Sequence, residues 1–122
     1  MMGRRAIVVH ADEAISRLVS SGLRIFRPGY QVATAQSLSR ASDWLRDQPL
    51  DLVLIELNGH EPEQIAEWAE ANHVDVGDIV LMGVDAPRSS DLRFGGGLPT
   101  DFDLSALLNL VRTMNQAKEA QT

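Results

Sequence analysis

Leu52-Val53-Leu54-Ile55-Glu56-Leu57 restricts the fold of this chain more than any other segment. It is apolar at five of six positions, follows Asp47-Gln48-Pro49 and runs into Asn58-Gly59. A strand with one wet face alternates apolar and polar residues. A strand apolar throughout is covered on both faces, as in parallel sheets packed between helices. Residues 6–9 and 79–82 repeat the pattern, residues 30–35 are strand-like, and a short fifth strand is expected around 97–100.

Between these runs the period changes to that of helices. Over residues 13–26, Ile15, Leu18, Val19, Gly22 and Ile25 share one face, with Ser16, Arg17, Ser20 and Arg24 opposite. Ser37 is placed to cap a helix over residues 38–46, with Leu38, Ala41, Trp44 and Leu45 inward. Pro62 suits the first turn of a third helix, with Ile65, Trp68 and Ala69 inward and Glu63, Glu67 and Glu70 as a solvated face. The last helix begins after Asp103 and buries Leu104, Leu107, Leu108 and Val111. Strands alternating with helices predict an α/β domain of three layers, α/β/α, with ligands beyond the carboxyl ends of the strands.

Composition removes several function classes. The 122 residues suit one domain able to bury its own core. With no cysteine there is no disulfide scaffold, thiolate metal site or cysteine nucleophile. A formal charge of −6 argues against direct nucleic-acid binding, which needs clustered Lys and Arg. No apolar run approaches the roughly 20 residues that span a bilayer, so no membrane partner is expected. The apolar stretch 6–9, ended by His10, is too short for a signal-peptide core, which predicts a cytoplasmic protein. Gly95-Gly96-Gly97 lacks the spacing of a phosphate-binding loop and is taken as a flexible turn. His60 and His73 fall in loops and are expected to be solvated.

Pro49-Leu50-Asp51-Leu52-Val53-Leu54-Ile55-Glu56-Leu57 resembles the third strand of response-regulator receiver domains, where the phosphoacceptor aspartate ends such a run. Phe102-Asp103 followed by Leu107-Leu108 resembles the Lys-Pro-Phe-Asp segment that opens the final receiver helix. Val8-Val9, followed by Ile15 and Arg17, fits the first strand and helix. The resemblance covers residues 5–114. It implies a CheY-like, flavodoxin-like, doubly wound five-stranded parallel sheet of order 2-1-3-4-5. Because the segment after Gly83 is short, the fourth helix should be stunted or lost. The receiver-like domain is set at 4–114, with 115–122 a polar tail or the start of a linker.

Receiver chemistry does not carry over with the fold. The resemblance puts Glu56 at the phosphoacceptor position and His10-Ala11 at the acid pair that would hold a divalent cation. If the first strand ran two residues further, Asp12-Glu13 would be that pair. A shift of two preserves strand alternation, so both registers stay open. The switch hydroxyl falls on Gly83 and the phosphate-binding lysine on Thr100. Lys118 is the only lysine, so neither register supplies that group.

The chain therefore resembles a pseudo-receiver: not an enzyme, without cofactor, a phosphorylation-independent protein-interaction module in bacterial signalling. The alternatives are a conventional phosphorylatable receiver with an atypical site, and a small flavodoxin-like ligand-binding protein. Glu56 is expected to be solvated or bonded to nearby amides, with a phosphate-mimic role as the rival. His10, Glu56 and Asp12 lack a tight spacing motif, and no metal is assigned to them. Ala106, Leu110 and Met114 form a second apolar face on the last helix. Either the segment before it leans over that face, or the face receives a protein partner, an output domain or a second copy.

Overall fold

The computed structural model describes residues 5–26, 31–45, 50–57, 60–83, 94–98 and 102–120. Five strands, β1 (Arg5–Val9), β2 (Gln31–Ala35), β3 (Leu52–Glu56), β4 (Ile79–Met82) and β5 (Gly96–Leu98), pair in parallel in the order β2-β1-β3-β4-β5. The helices among the described residues are α1 (Glu13–Phe26), α2 (Leu38–Leu45), α3 (Pro62–Ala71) and α4 (Leu104–Ala120), with a short 3₁₀ turn at Val76–Asp78. The parallel sheet expected from the apolar runs is present, in the doubly wound order that the resemblance implies.

Alternate residues of each central strand feed two separate cores. Ala6, Val8, Leu52, Leu54, Val80 and Met82 pack under α1 and α4, together with Val19, Leu23, Leu107 and Val111. Ile7, Val9, Val53, Ile55, Ile79 and Leu81 pack on the other face with Ala41, Ile65 and Ala69 of α2 and α3. Each fully buried branched side chain contributes about 1.5–3 kcal/mol, so β3 alone anchors both layers. No described helix is long and apolar enough to cross a membrane.

The helix faces differ from expectation in two places. On α1, Ser16 and Ser20 are buried with Val19 and Leu23, while Leu18 is 58% and Ile25 82% exposed. The buried stripe is thus rotated from the predicted one. Gly22 lets α1 and α4 come close: a Cβ there would stand 2.7 Å from Leu104 Cδ1. Ser20 tolerates burial by donating to the Arg17 carbonyl at 3.2 Å. On α2, Trp44 is 51% exposed instead of facing the core. Trp68 of α3 joins the two helices, its indole N–H donating to Leu38 O at 3.2 Å and Ser42 Oγ at 2.9 Å.

The triple glycine is also corrected. Gly96 and Gly97 belong to β5 and pair with Val80 and Leu81, and are not a flexible turn. A Cβ on Gly96 would meet both Leu110 methyls at 2.7 Å. On Gly95 it would lie 2.4 Å from Gly77 O and 2.6 Å from Met114 Cε. Leu110 and Met114 are therefore half-buried against the edge strand and the core beneath it. The second apolar face of the last helix is largely used inside the chain, and only Ala106 of the three is exposed. Asp103 caps α4 by accepting from Ala106 N–H at 2.8 Å. The helix then continues to Ala120, through most of the segment read as a tail. No helix is described between β4 and β5, and residues 84–93, where the stunted fourth helix was expected, lie outside the described residues.

Candidate functional site

Strand register brings the site together. Val9 is level with Ala35 of β2 and Ile55 of β3, and Glu56 is level with Met82 of β4. One residue beyond Val9, His10 emerges beside Glu56 at the carboxyl edge. Its backbone N–H donates to Ala35 O at 3.0 Å. His10 is 7% exposed and Glu56 21%.

Their side chains touch, with His10 Nε2 2.6 Å from Glu56 Oε2. On the other side of the ring, the Asp12 backbone N–H donates to His10 Nδ1 at 2.9 Å. Nδ1 is thereby an acceptor, which leaves the ring proton on Nε2, aimed at the carboxylate. The contact is an N–H donor to a carboxylate acceptor, a charge-assisted bond that adds no second negative group. Glu56 is thus neither simply solvated nor bonded to nearby amides.

Both imidazole nitrogens are occupied, so neither offers a lone pair to a cation in this arrangement. Ala11 is exposed and carries no ligating atom. β1 ends at Val9, and Asp12 Oδ1 accepts from the Ala14 and Ile15 amides at 2.9 and 3.3 Å, capping α1. Glu13 opens α1 and pairs with Arg17 at 2.8 Å. No group of three or more metal-ligating side chains occurs among the described residues. His60 and His73 are exposed, and His60 borders a small cavity of about 100 Å³ beside His10 and Glu56.

Gly83 follows β4 with φ of 83° and donates its N–H to Leu98 O at 2.9 Å. Left-handed backbone carries glycine at no steric cost and penalises residues with a Cβ by about 1–2 kcal/mol. Gly83→Thr should therefore lower stability by at least that amount, because β-branched residues fit this region worst. A denaturant midpoint unchanged from the parent would refute the assignment of strain. Thr100 lies outside the described residues.

A response regulator from Thermotoga maritima superposes with a TM-score of 0.74 at 20% identity, over 92% of this chain and 97% of that one. The fold is that of a response-regulator receiver. The beryllofluoride-activated NtrC receiver domain gives 0.70 at 17% identity, over 95% of this chain and 98% of its own. The chemotaxis response regulator CheY4 of Vibrio cholerae gives 0.68 at 15%, over 92% and 98%. No family model and no curated protein matches the sequence.

Within the receiver fold, Glu56 and His10 meet at the carboxyl edge of the central strands, the region where ligands bind in open α/β sheets. Sequence reading weighed both residues separately and as metal ligands, but not as a hydrogen-bonded couple. The missing signal was register: the residue after β1 is level with the end of β3 only once the two strands are paired.

Proposed function

We propose that this chain is a phosphorylation-independent receiver-like module, acting in bacterial signal transduction by binding a protein partner or an output domain. The observation that carries the proposal is the His10–Glu56 hydrogen bond. Phosphoryl transfer to a carboxylate needs charge stabilisation where the transferred group sits, from a cation and positively charged donors. Here the residue beside the carboxylate is an imidazole whose nitrogens are both engaged, and Glu56 already has a partner. The only lysine lies far along the chain, at position 118.

The receiver-like module is placed at residues 4–114, and α4 carries the chain on to Ala120. It has no catalytic role, needs no cofactor and works in the cytoplasm without direct contact to nucleic acid or membrane. A homodimer through α4 would rest on Ala106 and on the outer edges of Leu110 and Met114.

Incubation with acetyl phosphate and magnesium, followed by intact-mass measurement, tests the proposal. No mass gain is expected. A gain of one phosphoryl group that disappears in Glu56→Gln would overturn it.

A further inference from the structure

A cleft of about 370 Å³ opens between the start of α1, the end of β2 and helix α2, with His10 in its wall. That volume is in the range of small-molecule sites. Three otherwise unexplained features meet in its wall. Trp44 turns away from the core and stays 51% exposed. The Ser16 Oγ is buried without a hydrogen-bond partner, a defect that costs about 1–3 kcal/mol. The Arg40 guanidinium makes no hydrogen bond or ion pair among the described residues.

The charge pattern selects the ligand. The wall also holds two acids, but Glu13 is paired with Arg17 at 2.8 Å, and Asp43 has an interaction of its own. Arg40 is the uncompensated charge. A guanidinium binds a carboxylate through two parallel N–H donors. An exposed indole offers a flat apolar face on which a second ring stacks. We propose that this cleft binds a small planar aromatic carboxylate, its ring on Trp44 and its charge on Arg40. A carboxylate brings two acceptor oxygens, and the wall hydroxyl of Thr34 is a further donor for them.

The proposal goes beyond the interaction role and does not depend on it, since no phosphoryl chemistry is involved. His10 is shared between this cleft and the smaller cavity that contains Glu56. An occupant would therefore lie against the ring that holds Glu56.

Titration of the whole chain with 2-naphthoate, followed by calorimetry and by the fluorescence of the two tryptophans, tests the site. Saturable binding is expected, weakened at least tenfold by Arg40→Gln and by Trp44→Ala. Both residues are exposed, and thermal melts of the variants should match the parent. Arg112→Gln on α4 should leave binding intact. 2-Naphthalenemethanol, which lacks the charge, should bind at least tenfold more weakly than the carboxylate. Absence of saturation at millimolar 2-naphthoate would overturn the proposal. So would binding indifferent to Arg40→Gln, or preference for 2-naphthylmethylamine, which would make the cleft a cation site.

Discussion

Gly95→Ala should destabilise the domain by about 2–3 kcal/mol, within the range for forcing a methyl group into filled space. The added Cβ would stand 2.4 Å from the Gly77 carbonyl oxygen, and a backbone atom cannot rotate aside. It would also press on Met114 at 2.6 Å, pushing α4 away from the edge strand. Gly96→Ala is the control. The three atoms nearest its Cβ all belong to the Leu110 side chain, which can change rotamer, and alanine restricts the unfolded chain more than glycine does. The loss there should stay below about 1 kcal/mol, and the same change made in a Leu110→Ala background should add nothing to that variant's own loss. Urea unfolding of the two glycine variants, of Leu110→Ala and of the double variant checks the pattern. Equal losses for Gly95→Ala and Gly96→Ala would mean that the strand tolerates no side chain, whatever lies opposite.

The second large effect is expected from His10→Asp. A second carboxylate would replace the imidazole beside Glu56. Two negative charges about 5 Å apart repel by roughly 3 kcal/mol at an effective dielectric near 20. The variant also loses the Nε2–H donor that Glu56 now uses. A stability loss of about 3 kcal/mol is expected at neutral pH without divalent cations. The pair would then suit a hard cation, so magnesium should return part of the loss. At a concentration ten times the dissociation constant, the recovery is about 1.4 kcal/mol. The parent should show no such magnesium dependence in a thermal melt. Magnesium stabilisation of the parent equal to that of the variant would show that the existing edge already holds a cation.

The sheet was legible because every central strand is apolar on both faces. Leu52, Val53, Leu54 and Ile55 cannot be read as a half-wet strand, and all four are buried. Helix starts were legible where a short acid precedes them, as at Asp103. Helix faces were harder. Leu18 and Ile25 outweigh Ser16 and Ser20 on any hydropathy scale, yet it is the two serines that are buried. The glycine run misled as well. Its lack of side chains reads as freedom, whereas in the fold it makes room for Leu110 and Met114. At the site, Glu56 was found from its place at the end of a buried run. Its bond to His10 was not, since that contact joins residues 46 positions apart through strand pairing.

The left-handed turn at Gly83 bears on how such a chain can change over generations. A hydroxyl-bearing side chain at that position needs a Cβ. Taken alone it incurs the backbone strain at once, at a φ of 83°. Whatever other substitutions accompany it, that backbone cost has to be met at this position. The conformation of one peptide thus narrows what this position can become: glycine is free there, and every residue with a Cβ starts at a disadvantage.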